Sequence, residues 1–223
     1  MRASQTPGGR PIRAHAIAVA AVVAAGIGAF DAGAQSPPSS ATALASAITY
    51  FIGAGSVGSG FRQTDRQLAE WAFDAWQRSA TNAFRFVPSA ETDALVRLYW
   101  AEPNDGQYGE MRAIQMGDRR AAAVYIRPDT TALGEAIATR AARDPLLRDA
   151  IVYLTAVHEL GHALGLSHSR EFDDIMYFFG YGGDVVAYFN RYRVELRTRD
   201  DIHLVSGLSS ADISRVRTLY ARP

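Results

Sequence analysis

The sequence contains the stretch HELGHALGLSH at residues 158–168, followed by DIMY at residues 174–177. His158 and His162 are four residues apart, so in a helix they lie one turn apart on the same face. Gly165 suits the left-handed backbone conformation that ends many helices and turns the chain back. Such a turn can bring His168 to the same point, so we predict that the three imidazoles meet beside Glu159.

This set of side chains has the composition of a catalytic zinc site, because three neutral imidazoles leave a fourth tetrahedral position open for water. A zinc ion lowers the pKa of its water from about 15.7 to near 7 and polarises a substrate carbonyl. Glu159 would accept the proton of that water and return it to the leaving amine. A bare H-E-x-x-H also occurs by accident on polar helix faces, but the added glycine, third histidine and methionine favour the metal site. We therefore predict His158, His162 and His168 as zinc ligands and Glu159 as the catalytic base.

The complete pattern H-E-x-x-H-x-x-G-x-x-H resembles that of the metzincin metalloproteases, and every fixed position is matched. The resemblance implies that Met176 is the Met-turn, a hydrophobic floor beneath the metal. The serine after the third histidine and the order of elements over residues 47–220 resemble the matrixins in particular. This resemblance implies an α+β, zincin-like fold with a twisted, mostly parallel sheet, an active-site helix, the Met-turn and a C-terminal helix.

Residues 1–34 have the features of a secretory signal peptide. Three arginines lie within the first 13 residues, a 15-residue apolar run follows, and the segment ends in Ala32-Gly33-Ala34. The run is short for a bilayer span, so we predict cleavage near Ala34 and a secreted or periplasmic protein without a stable membrane anchor. A retained single anchor is the alternative. Residues 35–46 are predicted to be a flexible lead-in and residues 47–223 the catalytic domain.

The rest of the chain alternates between short β-branched or aromatic runs and longer segments with apolar residues at helical spacing. Strands are predicted over residues 47–52, 84–87, 95–101 and 121–127. Helices are predicted from residue 64 or 65 to 79 and over residues 131–143, 145–164 and 210–220, with Asp144 and Ser209 as the N-caps of the last two. Residues 188–199 are predicted to form a solvated helix or loop, and residues 53–60 and 103–120 to form loops.

The resemblance also implies where a substrate binds. It makes residues 121–127 the exposed edge strand, on which metzincins hold an extended peptide through main-chain hydrogen bonds. Ala123, Val124 and Tyr125 are therefore candidate substrate contacts. Tyr177, directly after the Met-turn methionine, is a candidate for the wall of the pocket that takes the residue after the scissile bond. Packing in the core is the alternative for the aromatic residues of this region.

Charge and composition exclude several other functions. The chain has 23 basic and 23 acidic residues, which argues against a nucleic-acid binder with a broad basic surface. It has no cysteine, which excludes disulfides and the thiolate latency of matrix metalloproteinases. Residues 103–120 contain no histidine, so the second, structural zinc of matrixins is not expected. Asp105, Glu110 and Asp118 could bind calcium, but solvated loop carboxylates are the favoured interpretation and Ca²⁺ is not supported.

The sequence thus predicts a monomeric, secreted zinc endopeptidase that acts on a protein or peptide. One alternative is a zinc hydrolase of narrow specificity, for example for cell-wall peptides. Another is an exported zinc-containing module that binds a peptide without cutting it. Glu159 favours an enzyme, because binding alone requires the metal ligands and no base.

Overall fold

The computed structural model describes residues 46–81, 83–103 and 108–221. The strands are β1 (Ser46–Ile52), β2 (Phe84–Pro88), β3 (Val96–Trp100), β4 (Gly109–Met116) and β5 (Arg119–Ile126). The α-helices are α1 (Asp65–Ser79), α2 (Glu135–Arg143), α3 (Pro145–Ala163), α4 (Val185–Arg193), α5 (Asp201–Leu204) and α6 (Ser210–Tyr220). The predicted signal peptide, and the predicted lead-in up to residue 45, lie outside the described residues.

The five strands form one sheet in the order β2-β1-β3-β5-β4. Strands β2, β1, β3 and β5 run parallel to one another, and β4 runs antiparallel to β5. Helices α1 and α3 lie against the sheet and against each other, which buries the apolar sides of both layers in one core. The predicted α+β class is confirmed, with a mostly parallel sheet, an active-site helix (α3) and a C-terminal helix (α6).

Two contacts between α1 and α3 fix the helix that carries the first two histidines. Near the end of α1, the buried indole of Trp76 donates a hydrogen bond of 2.8 Å to the carbonyl oxygen of Val157. Near the start of α3, the buried Arg148 forms a bidentate ion pair with Asp65 of α1. Breaking such a buried pair leaves an uncompensated charge in the core. The position of α3 is therefore fixed at both ends.

Helices α3 and α6 begin as the sequence predicts. The Asp144 side chain accepts hydrogen bonds from the backbone N–H groups of Leu146 and Leu147, and Pro145 occupies the first helical position. At α6, the Ser209 side chain accepts from the N–H of Asp212, and Asp212 accepts from the N–H of Ser209. None of the helices in the described ranges is both long and apolar enough to cross a membrane.

The edge of the sheet differs from the prediction. Residues 103–120, interpreted as a loop, contain β4, and β4 rather than β5 is the outermost strand next to the site. The expectation that residues 121–127 form an exposed edge is therefore wrong: Val124 lies between Leu98 of β3 and Met111 of β4. The signal was available, because residues 121–124 are an unbroken apolar run and all are buried, which is typical of a central strand.

The expected solvated segment also differs. Helix α4 buries Tyr188, Phe189 and Tyr192, and the ring of Tyr192 stacks on that of Tyr153 in α3, with centroids 5.8 Å apart. The arginines between these aromatics suggested an exposed segment. The helical period instead places the aromatic rings on the side that faces α3.

Candidate metal centre

The structure brings the three predicted histidines together. His158 and His162 lie on the last turns of α3, and Gly165, with φ of +97°, turns the chain so that His168 returns to the end of the helix. One ligand atom from each imidazole lies within 4.8 Å of the other two. The Nε2 atoms of His162 and His168 are 3.1 Å apart. Three imidazoles that converge in this way are positioned to bind one metal ion.

Backbone carbonyls orient the first two rings. The Nδ1 atom of His158 lies 2.6 Å from the carbonyl oxygen of Ile175, and that of His162 lies 2.8 Å from the carbonyl oxygen of Leu166. A ring whose Nδ1–H donates to such an oxygen keeps its Nε2 lone pair for a metal. The three side chains therefore fit zinc, which prefers imidazole nitrogen and needs only three protein ligands in a catalytic site.

Burial keeps these rings uncharged at neutral pH. It lowers the pKa of His158 to about 3 and the pKa of His168 to about 4, with a further contribution from the neighbouring His162 in both cases. The pKa of His162 is also lowered, again chiefly by burial. Neutral imidazoles have a free lone pair, so the three side chains are in the form that binds a metal.

Glu159 lies beside the first histidine and beneath the start of β4. It is 7% exposed, and a Cβ atom on Gly109 would lie 2.7 Å from its Oε1 atom. Burial and then the charge of Glu110 raise the pKa of the Glu159 carboxyl to about 8, and a backbone hydrogen bond from Met111 opposes this shift. A carboxyl with this pKa can both accept and release a proton near neutral pH.

Met176 lies where a Met-turn is expected. Its side chain is fully buried, and its sulfur packs so closely against Gly161 of α3 that a Cβ at residue 161 would overlap it. The backbone of the turn is also fixed, because the N–H of Ser169 donates to the carbonyl oxygen of Met176 at 2.7 Å. Met176 therefore lies behind the helix segment that carries the histidines.

The residues predicted to contact the substrate do not lie at an exposed edge of the sheet. Ala123, Val124 and Tyr125 lie within β5, whose two edges are both paired. Tyr177 is 7% exposed and donates a hydrogen bond of 2.8 Å to the carbonyl oxygen of Gly182. Its position corresponds to the alternative interpretation, in which the aromatic residues after the methionine pack in the core.

Sequence reasoning missed three residues that contact the site. Gly109 passes over Glu159, Phe178 stacks on His168, and Asp212 of α6 accepts a hydrogen bond of 2.7 Å from the N–H of Ile175. Phe178 stood out only as one of the aromatic residues that follow the methionine. Asp212 was recognisable only as part of a helix start.

Comparison with known proteins identifies the family. The sequence model of the matrixins matches residues 44–220. The chain belongs to the matrixin family. As a matrixin it is expected to use a catalytic zinc, for which the three histidines are positioned, and its fold agrees with the zinc metalloendopeptidases of that family. The predicted resemblance is thus confirmed.

Similarity to an individual protein supports the same family. The chain is 29% identical to an interstitial collagenase of Equus caballus over 117 residues, which are 50% of this chain and 23% of that protein. This matrixin thus spans about a quarter of the length of that relative. The similarity concerns a part of the collagenase only.

Proposed function

We propose that the chain is an exported zinc endopeptidase in which His158, His162 and His168 hold the metal and Glu159 is the general base. One observation carries the proposal: three imidazoles converge within 4.8 Å, and the buried carboxyl of Glu159 directly follows the first of them on the same helix. Binding alone would require the imidazoles but not the carboxyl. The pairing of the two favours hydrolysis.

The side chains divide the reaction between them. When bound by the three histidines, zinc would supply the Lewis acid that polarises the scissile carbonyl and makes a water molecule acidic. Glu159 accepts the proton of the attacking water at its carboxylate and then donates it to the nitrogen of the departing amine. The water oxygen ends in the new carboxylate product and the amine leaves protonated.

The substrate is proposed to bind along β4. This strand is the last in the sheet order of the described residues, and its first residue lies directly over Glu159. An extended peptide paired with its outer edge would pass the metal with its backbone held by main-chain hydrogen bonds. Ala123, Val124 and Tyr125 belong to β5, which pairs with the inner edge of β4. We therefore propose that the peptide contacts the outer edge of β4 and not β5. Such binding accepts many sequences, which suits a protein or peptide substrate.

We further propose that a signal peptide is removed near Ala34, that the catalytic domain covers residues 47–223, and that the secreted or periplasmic enzyme is a monomer. The arginines, short apolar run and small residues of the first 34 positions support export. Intact mass measurement of the protein recovered from an exporting host tests this, with Gln35 expected at the amino terminus. A protein that keeps its first 34 residues and stays with the membrane would contradict it.

The deciding experiment measures zinc content and cleavage of an unstructured protein such as casein. We compare the wild-type chain with Glu159→Ala and, as a matched control, with Glu195→Ala, a glutamate exposed after α4. One zinc per chain, with cleavage that a chelator and Glu159→Ala abolish and Glu195→Ala leaves intact, is the expected result. Zinc without cleavage would favour a narrow substrate or a binding module, and a folded chain that takes up no zinc would disprove the metal site.

A further inference from the structure

His168 is oriented differently from the other two histidines. His158 and His162 each place Nδ1 against a backbone carbonyl oxygen. Within the described residues, the ring of His168 makes no hydrogen bond other than the contact between its Nε2 and that of His162. It stacks instead on the ring of Phe178, with centroids 4.6 Å apart and planes 21° apart. A metal-binding histidine normally donates a hydrogen bond from its second nitrogen, which fixes the ring. At His168 the ring of Phe178 takes the place of such a partner.

The backbone fixes Phe178 opposite His168. Ser169 and Tyr177 form a parallel bridge. On one side of it the N–H of Ser169 donates to Met176 at 2.7 Å, and on the other the N–H of Phe178 donates to Ser169 at 3.3 Å. The segments that follow the third histidine and the Met-turn methionine therefore run side by side. The stacking is a consequence of this pairing and not a chance contact of two exposed rings.

The ring of Phe178 is in turn restrained from its other sides. A Cβ atom on Gly180 would overlap it, so only glycine leaves room for the ring in this position. Tyr181 meets it edge to face at a centroid distance of 5.2 Å, and the guanidinium of Arg170 lies 4.6 Å from the centre of the Tyr181 ring. The rings of His168, Phe178 and Tyr181 and the Arg170 guanidinium thus form one continuous series of contacts.

We propose that Phe178 is a positioning residue, which orients the imidazole of His168 toward the metal by stacking, where the other two histidines use hydrogen bonds. The inference rests on the proposed function, because it assumes that His168 binds zinc. Loss of a partner that orients a ligand typically lowers metal affinity about 10- to 100-fold. We expect the lower end, about tenfold, because stacking fixes the plane of the ring without setting its tautomer.

The test measures how fast zinc leaves the full chain. Zinc-loaded protein is mixed with an excess of the chelating dye 4-(2-pyridylazo)resorcinol, and the absorbance of the zinc–dye complex is followed. Phe178→Leu keeps an apolar side chain without a flat face and should release zinc about tenfold faster than wild type. Phe178→Trp keeps the flat face and should stay close to wild type. Phe179→Leu is the matched control, since Phe179 packs against Tyr177 and Tyr188.

The same substitution, measured in a His168→Ala variant, distinguishes the orientation of His168 from a general loosening of the loop. In His168→Ala the ring that Phe178 orients is absent, so adding Phe178→Leu should leave zinc release from the two remaining histidines unchanged. Equal release from Phe178→Leu and wild type would overturn the inference. So would equal acceleration by Phe178→Leu and Phe179→Leu, or an undiminished effect in the His168→Ala background. A wild-type chain without zinc would instead overturn the proposed function itself.

Discussion

Gly161 of α3 and Met176 of the Met-turn are in direct contact, with no room between them for even one methyl group. A Cβ atom on residue 161 would overlap the sulfur of Met176 and lie 3.0 Å from the indole ring of Trp76. All three residues are buried. The glycine between Glu159 and His162 is therefore needed for packing between the helix and the turn.

This contact predicts that Gly161→Ala destabilises the protein. In an unconstrained helix the same change stabilises by about 0.5–1 kcal/mol. Here the added methyl group must displace Met176 or Trp76, and overpacking of this kind costs about 1–3 kcal/mol. Urea unfolding followed by tryptophan fluorescence measures the change. An increase in the free energy of unfolding would show that the turn is not packed as described.

Asp212 connects the closing helix to the metal centre through Ile175. The N–H of Ile175 donates to Asp212 and the carbonyl oxygen of the same residue receives Nδ1 of His158. Asp212→Ala leaves the buried N–H of Ile175 and the partly buried N–H of Ser209 without their acceptor, so we expect a loss of about 1–3 kcal/mol and faster zinc release. The exposed neighbour variant Ser210→Ala should change neither. Equal behaviour of the two variants would contradict the connection.

Gly109 allows β4 to pass over Glu159. Gly109→Ala brings a methyl group to the carboxyl. On the proposed function we expect kcat for casein-derived peptides to fall about tenfold or more, because a small displacement of the proposed catalytic base is costly. Gly117→Asn, at the other end of β4, is the control, since nothing lies within 4 Å of its Cβ position and asparagine tolerates φ of +56°.

A double-mutant cycle on stability tests the same contact without relying on activity. Gly109→Ala should destabilise the wild-type protein more than it destabilises Glu159→Ala, in which the added methyl group still meets Thr155 but no longer meets the carboxyl. Coupling of neighbouring residues is typically about 0.5–3 kcal/mol. Additive effects of the two substitutions on the free energy of unfolding would show that the side chains do not meet.

The titrating groups of the centre predict how the stability of the metal-free protein depends on pH. The pKa of Glu159 is raised to about 8, so the stability it contributes is fully present below about pH 4.5 and is lost as the pH rises through 8. The pKa values of His158 and His168 are lowered to about 3 and 4, so their contribution is present above about pH 6.5 and is lost as the pH falls toward those values.

Near neutral pH these opposing trends have a simple consequence. Above about pH 7.5 the histidines are almost entirely neutral in both the folded and the unfolded protein, so between pH 7.5 and 8.5 ionisation of Glu159 should lower the stability of the metal-free protein. Urea unfolding in the presence of a chelator measures this, and Glu159→Gln, which cannot ionise, should remove the decline while keeping the loss of stability at acid pH. A wild-type decline that persists unchanged in Glu159→Gln would refute the assignment to this carboxyl.

The sequence was a good guide wherever structure depends on neighbouring residues. The start of α3 follows from Asp144 and Pro145, and the four-residue spacing of His158 and His162 on a helix brings both rings to one face. The turn at Gly165 follows from the conformational freedom of glycine at φ of +97°. These features depend on a few adjacent positions, so their pattern is sufficient to predict them.

The edge strand could not be predicted in the same way. A strand is an edge only when no other strand pairs with its second side, and that depends on segments that are distant in sequence. Strand β4 mixes polar and apolar residues without regular alternation, so it gave no clear strand signal, although it pairs with β5 over its full length from Gly109 to Met116. The exposed edge of the sheet was therefore assigned to the wrong strand.

The sequence by itself determined the three histidines, the glutamate beside them, the helix that carries them and the family to which they belong. Only the tertiary structure decided that β4 covers Glu159, that Asp212 connects to Ile175 and that Phe178 lies on His168. The physical reason is the range of the interactions. Backbone conformation and helical spacing are set locally, whereas these contacts arise when elements distant along the chain pack together and every buried side chain must find a space that fits it.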